Sequence, residues 1–397
     1  MLLDRCGQPD SDTVTATRPL RVLVDATALP KERGGVGRYV DELVRTLPSM
    51  GPRVVVAAQQ RDQERFARFV GGSAVLTAPA WAGRQAPRLV WEQSGLAAAI
   101  RRTRPDVVLS PHYTMPLANV GRGSAPQVVT LHDATFFSHP EVHSTVKAHF
   151  FSTWTRVSTR LADALVMPSE ATRDEVLAHT HADPRKLFVV PHGVDHESFR
   201  PPTESQVVAA RAWAGVPEGV GYLAFLGTLE PRKNVPALIR AFVDSCADRA
   251  DAPVLVLAGG RGWDDDIDDA LAAVPSHITV LRPGFIPDEL VTGFLGGADV
   301  VTYPSLGEGF GLPVLEAMAC GAPVLTTRRL SLPEVGGDAV AYAASPQASD
   351  IAEALGGLLD SRDRRAELSR LALSRSALFT WEATARGHLD VLRQVAT

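Results

Sequence analysis

From about residue 20 to the end of this 397-residue chain, short β-branched or apolar runs alternate with longer amphipathic stretches. That rhythm belongs to repeated βα units wound around parallel sheets and predicts an α/β fold. Strands are expected at 21–27, 53–58, 106–110, 127–131 and 164–168 in the first half. In the second half they are expected at 221–227, 253–258, 277–281, 299–303, 323–326 and 339–342. Two sheets follow from this spacing more naturally than one, and the length independently predicts two domains or one large barrel. The Gly- and Pro-marked segment Pro191-His192-Gly193-Val194-Asp195, followed by Phe199-Arg200-Pro201-Pro202, interrupts the rhythm and marks the interdomain connection. The expected division is a flexible N-terminal segment at 1–19, one domain at 20–195 and a second at 196–378. A terminal helix at 379–397, with Thr380 as its N-cap, crosses back to the first domain.

Several function classes fall away on composition. The 40 basic and 45 acidic residues leave a net charge of -5, without the basic excess a nucleic-acid binder carries. The three cysteines, Cys6, Cys246 and Cys320, form no CxxC pair, so neither a zinc site nor a disulfide framework is indicated and a reducing cytoplasm fits. Asp4 and Arg5 break the opening apolar residues, which excludes a signal-peptide core. No apolar run reaches the roughly 18 residues that span a bilayer, so any membrane contact is expected to be peripheral, at the inner face.

Three glycine-marked turns carry the chemistry. The first is Gly34-Gly35-Val36-Gly37-Arg38-Tyr39, after the first strand. Its glycines permit close backbone approach to a ligand, and the helix that follows directs free N–H groups at an anion; a plain flexible loop is the alternative. In the second half the corresponding turn runs from Gly227 and Thr228 to Glu230-Pro231-Arg232-Lys233-Asn234. Two adjacent cations at the carboxyl edge of a sheet stand where a ligand diphosphate binds, though two solvated charges in a turn would look the same. The third is Ser305-Leu306-Gly307-Glu308-Gly309-Phe310-Gly311-Leu312-Pro313, which opens a helix carrying Glu316. Free N–H groups at 309–312 suit phosphate oxygens, and the flanking carboxylates of Glu308 and Glu316 suit sugar and ribose hydroxyls. A capped structural helix explains the Gly and Pro but not the two acids. His132-Asp133 adds a polar pair at the carboxyl end of a parallel strand, at the ligand-facing edge.

Weaker signals read as ordinary surface. His132, His139, His143 and His149 include an i, i+4 pair that could ligate a metal, but Pro140 and mixed surroundings favour surface histidines. The acidic run Asp264-Asp265-Asp266-Ile267-Asp268-Asp269 contains a DxD spacing used by some metal-dependent sugar transferases, yet it reads as an acidic helix start. Arg84, Arg88, Arg101, Arg102 and Arg104 around the apolar stretch 89–100 could touch an anionic membrane, although a basic helix is usually just solvated.

Taken together, the Glu308 to Glu316 spacing, the Gly-Thr-Leu-Glu-Pro-Arg-Lys-Asn turn and the Gly-Gly-Val-Gly-Arg-Tyr loop resemble the retaining, nucleotide-sugar-dependent glycosyltransferases of family 4. Leu131-His132-Asp133, Pro168-Ser169-Glu170, the 190–195 segment, Pro283-Gly284-Phe285-Ile286-Pro287 and Phe379-Thr380-Trp381-Glu382 extend the likeness over roughly residues 20 to 397. Leu89-Val90-Trp91-Glu92-Gln93 and Ser110-Pro111-His112-Tyr113 are most similar to bacterial mannosyltransferase-like members of polysaccharide pathways. The resemblance implies the GT-B fold, two Rossmann-like domains facing a cleft, with the acceptor in the first and the nucleotide sugar in the second. It implies that Arg232 and Lys233 bind the diphosphate, Glu308 the sugar hydroxyls and Glu316 the ribose. His132 lies near the reacting carbon and Phe285 with Ile286 beside the base. Gly227, Thr228, Gly309, Phe310, Gly311 and Leu312 complete the donor side, and Gly34, Gly35, Gly37 and Asp133 the acceptor side. Many relatives carry an arginine where this chain has Thr228, so Arg232 is assigned the second cation. The expected partners are a nucleotide sugar, with GDP-mannose favoured, and a glycan, glycolipid or small-molecule acceptor, with neither metal nor cofactor. A nucleotide-sugar epimerase of the same fold and a non-catalytic sugar-nucleotide-binding protein are the competing readings.

Overall fold

The computed structural model describes residues 18–396 other than 32 and 122. The flexible segment expected at 1–19 lies outside the described residues up to position 17, and Cys6 with it. Two parallel sheets organise the chain. The first has seven strands in the order β3-β2-β1-β4-β5-β6-β7. These are β1 (Arg21–Asp25), β2 (Arg53–Gln59), β3 (Val75–Ala78), β4 (Val107–Ser110), β5 (Gln127–Thr130), β6 (Ala164–Met167) and β7 (Leu187–Val189). The second has six, in the order β10-β9-β8-β11-β12-β13. They are β8 (Tyr222–Leu226), β9 (Val254–Ala258), β10 (Val280–Gly284), β11 (Val300–Tyr303), β12 (Val324–Thr327) and β13 (Ala341–Ala343). Central strands such as Val107–Ser110, Gln127–Thr130 and Val300–Tyr303 are buried at every residue, as expected where helices cover both faces of a parallel sheet.

The differences from the sequence reading lie at the margins. β3 and β7 are edge strands of four and three residues, too short to show a pattern of their own. The strand expected at 277–281 runs instead from Val280 to Gly284 and includes Pro283. An edge position tolerates the missing N–H, and the pairing with β9 shifts register between Leu281 and Gly284.

After β7 the chain passes to a helix at Glu204–Ala214, opened by a reciprocal capping box between Thr203 and Gln206. Gly193 lies in this connection because a Cβ there would strike the backbone of Thr380 and Trp381. The terminal helix Trp381–Ala396 starts with the Thr380 hydroxyl accepting from the Ala383 N–H at 3.1 Å. It packs on the helix Gly35–Thr46 and on strands of the first sheet, burying Trp381, Leu389 and Leu392. His388 Nε2 meets the Tyr39 hydroxyl at 2.7 Å, tying this last helix to the first domain.

Each sheet reverses its strand order once, at β1/β4 in the first and at β8/β11 in the second. Loops leaving the carboxyl ends of strands at such a reversal diverge and open a crevice, where ligands of α/β proteins bind. In the second sheet the two loops are 227–234 and 304–311. In the first they begin after Asp25 and after Ser110. Among the described residues no helix is long and apolar enough to cross a membrane.

Candidate active site

The turn after β8 becomes a short 3-10 segment, Pro231–Lys233, closed by Asn234 at φ 58°. Asn tolerates the left-handed region, and its side-chain amide is held by the carbonyls of Pro304 (3.3 Å) and Pro346 (2.8 Å). The Leu306 N–H bonds the Arg232 carbonyl at 2.9 Å, so the loops after β8 and β11 are locked to each other. This lock brings Arg232 and Lys233 onto Glu308. Lys233 Nζ donates to Glu308 Oε1 at 2.7 Å and also to the Tyr303 hydroxyl, while the Ser305 hydroxyl donates to the same Oε1 at 2.8 Å. Arg232 pairs with Glu308 Oε2 through one nitrogen and with Glu230 Oε1 at 2.7 Å through the other.

All four charges are largely buried, and the quartet Glu230, Arg232, Lys233 and Glu308 is neutral as a group. Burial alone would raise the Glu308 carboxyl, but the adjacent guanidinium and ammonium overcome it and bring the pKa down to about 2. Burial and the neighbouring Arg232 lower Lys233 against the pull of the two carboxylates. The sequence reading assigned Glu308 to sugar hydroxyls; here both of its oxygens are engaged by cations.

The loop after Glu308 is shaped by contact with the first domain. A Cβ on Gly309 would strike the His132 carbonyl, so only glycine permits this approach. The Gly309 carbonyl accepts from the hydroxyls of Ser169 at 2.6 Å and Thr172 at 3.0 Å, both in the first domain. Ser331 holds the carbonyls of Glu308 and Phe310, each at 2.8 Å. Gly311, at φ 103°, then turns the chain into the helix Leu312–Ala319 with Pro313 in its first turn. Glu316, in the second turn, has a buried carboxyl raised by desolvation and opposed by Arg38.

His132 follows β5, and its Nε2 faces the Pro111 carbonyl at 2.9 Å, so Nε2 carries the proton and Nδ1 is the acceptor. Burial lowers its pKa to about 4, which keeps the ring neutral near pH 7. Asp133 Oδ1 accepts from the backbone and hydroxyl of Thr135. Gly34 is the N-cap and Gly35 and Gly37 form the first turn of the helix Gly35–Thr46, so these glycines sit inside the helix start and not in a loop before it. A Cβ on Gly35 would lie 3.2 Å from Leu312, placing the two domains' helix starts side by side. Phe310 packs against His192 and Phe379. Phe285 is 68% exposed at the edge of the second sheet, whereas the Ile286 side chain next to it is buried. Gly227 bonds back to the Ala258 carbonyl, and Thr228 follows it in the same turn.

One expectation fails on geometry. Arg88 is no surface cation: it is buried and bonds Glu92 Oε2 at 2.5 Å. His139 and His143 do not share a helix face, because a 3-10 turn at Pro140–Val142 separates them; His139 faces Glu141 and His143 bonds Thr135. The acidic run does begin a helix, Asp266–Ala272, as expected. The sequence reading missed a buried network at the other strand reversal. Asp25, His112, Thr114, Glu92 and Arg88 connect there, with Asp25 Oδ2 and His112 Nε2 3.3 Å apart. The advance signs were the i, i+4 spacing of Arg88 and Glu92 and the stretches 89–93 and 110–113 that carry the resemblance. Asp25, Glu92 and His112 present ligand atoms within 4.8 Å of one another. However, Arg88, Thr114 and Gln93 already engage Glu92.

Family models of Glycosyltransferase Family 4 and Glycosyl transferases group 1 match residues 33–198 and 210–375. O-antigen chain mannosyltransferase B of Escherichia coli is 32% identical over 262 residues, covering 64% of this chain and 67% of that protein. The chain belongs to glycosyltransferase family 4. D-inositol 3-phosphate glycosyltransferase 2 of Catenulispora acidiphila is 31% identical over 252 residues, 58% of this chain and 56% of the relative. Among solved structures, Anabaena HepE in complex with UDP and glucose superposes with a TM-score of 0.72 at 16% identity, covering 94% of this chain and 100% of that one. WaaG, a glycosyltransferase involved in lipopolysaccharide biosynthesis, gives 0.70 at 16% identity, covering 94% and 99%. These neighbours share the GT-B fold of the family.

Proposed function

We propose that this glycosyltransferase moves a hexose, with mannose favoured, from a nucleoside-diphosphate sugar to a hydroxyl of a glycan, glycolipid or small-molecule acceptor, with retention and without a metal. One observation carries the reading: two buried cations, Arg232 and Lys233, converge on Glu308 at the strand reversal of the second sheet. The quartet balances its own charges, so an arriving diphosphate takes over the cations and frees Glu308 for the sugar hydroxyls. When the anomeric C–O bond breaks, negative charge grows on the leaving β-phosphate. Lys233, Arg232 and the N-terminus of the helix Leu312–Ala319 stabilise it. The acceptor oxygen attacks from the same face, and its proton passes to the departing phosphate oxygen. Neutral His132 accepts a sugar hydroxyl through Nδ1 and fixes the ring beside the reacting carbon. Mannose is favoured by likeness to the O-antigen chain mannosyltransferase, and a GDP donor by the resemblance to mannosyltransferase-like members of the family. The inositol phosphate relatives support a small-molecule acceptor as an alternative to a glycan.

A thermal-shift screen with GDP-, UDP-, dTDP- and ADP-sugars tests the donor, with the largest stabilisation expected from GDP-mannose. Incubation with the stabilising sugar nucleotide and no acceptor should release nucleoside diphosphate slowly. Formation of an epimer in its place would reject transfer as the reaction.

A further inference from the structure

Glu316 is reached from the wrong side of the cleft. Its side chain is 3% exposed, one oxygen has no hydrogen-bond partner among the described residues, and the other is paired with Arg38, which belongs to the first domain. Arg38 projects from the start of the helix Gly35–Thr46, is 41% exposed, and lies 5.8 Å from the ring centre of Phe199 in the interdomain connection. Gly35 and Leu312 abut beside it, so the pair forms only with the two helix starts together. A buried carboxylate oxygen without a donor marks an incomplete site, and its complement is an O–H group. The vicinal hydroxyls of a ribose supply two.

We propose that Arg38 is a positioning residue for the nucleoside ribose: it holds Glu316 as an oriented carboxylate whose free oxygen accepts the ribose hydroxyls, and it makes nucleotide recognition depend on both domains. The inference rests on the reading of Glu316 as the ribose-binding residue. Burial favours the neutral acid at Glu316, and the guanidinium opposes that. Arg38 thus acts through Glu316, and its loss is felt by the ribose hydroxyls and not by the phosphates.

The test is calorimetric titration of the wild type, Arg38→Ala and Arg38→Lys with GDP, UDP and their 2′,3′-dideoxy counterparts. Wild type is expected to prefer the ribonucleotide it binds over the dideoxy form by about tenfold or more, the size of a charge-assisted hydrogen-bond pair. Arg38→Ala should lose about tenfold for that ribonucleotide and under about twofold for the dideoxy form, with Arg38→Lys restoring most of the loss. In a Glu316→Gln background, Arg38→Ala should have no further effect, because the two residues act as one unit. Equal weakening of both nucleotide forms, or full additivity with Glu316→Gln, overturns the proposal. Wild type binding both forms equally removes the ribose reading of Glu316 and this inference with it. Wild type binding no nucleoside diphosphate rejects the proposed function itself.

Discussion

The two strand reversals occupy equivalent places in the two sheets, yet they handle buried charge differently. At β8/β11 the charged groups come from two loops that contact each other, and Glu308 is the common partner of Arg232, Lys233 and Ser305. At β1/β4 the network spans three separate stretches of chain, with Asp25 Oδ2 and His112 Nε2 3.3 Å apart and Glu92 shared by Arg88 and Thr114. The first arrangement gathers two cations on one carboxylate, which under the proposed function a diphosphate displaces. The second ties loops together from the inside, with Glu92 bonded both to Arg88 and to Thr114 in the loop after β4. On the proposed function the first is a site of ligand exchange and the second a support, so substitutions at the two reversals should show in different measurements.

The largest effect is expected at β1/β4. Glu92→Gln leaves the buried Arg88 without its counter-charge and should cost about 3–5 kcal/mol in urea unfolding, with nucleotide affinity unchanged. A cost under about 1 kcal/mol would remove the bracing role. Next comes the opposite pattern: Lys233→Ala or Glu308→Ala should lower transfer by at least about tenfold to a hundredfold, the loss of transition-state contacts. Near-normal turnover would contradict the assignment.

Acid should distinguish the two domains as well. His132 and His388 are lowered by burial to about 4 and His192 well below its ordinary value. The unfolded chain therefore binds more protons than the fold between about pH 6.5 and 4, so this stability is complete above that window and lost as pH falls through it. Glu308, depressed to about 2, keeps its contribution until the pH falls below its unfolded value near 4.5 and loses it toward 2. Limited proteolysis at pH 7, 5.5 and 4 should open the first domain and the terminal helix before the donor cluster; cleavage starting around Glu308 would reverse the order. The smallest effect concerns metal. Transfer should change by less than about twofold with EDTA, since Lys233 and Arg232 already supply the charge a metal would bring. Loss rescued by manganese would direct attention to Asp264.

The same contrast explains what could be read in the sequence. Central strands announced themselves because burial on both faces leaves continuous apolar runs such as Tyr222–Leu226, whereas the edge strands β3 and β7 carry too few residues for any period. The residues proposed for the donor side lie in two contiguous stretches, 227–234 and 304–316, whose glycines and charges are legible as motifs. Asp25, Glu92 and His112 meet only through topology and carry no local spacing beyond Arg88 and Glu92. Arg38 stood inside a motif that was read for its glycines, and its partner lies 278 positions away.

Calorimetric titration of nucleoside diphosphate into wild type and Lys233→Ala decides whether the diphosphate sits at this turn. Wild type is expected to bind, and the variant at least about tenfold more weakly, the loss of a buried charge-assisted contact. Equal affinity in the two proteins would mean that the diphosphate does not sit at the Arg232 and Lys233 turn.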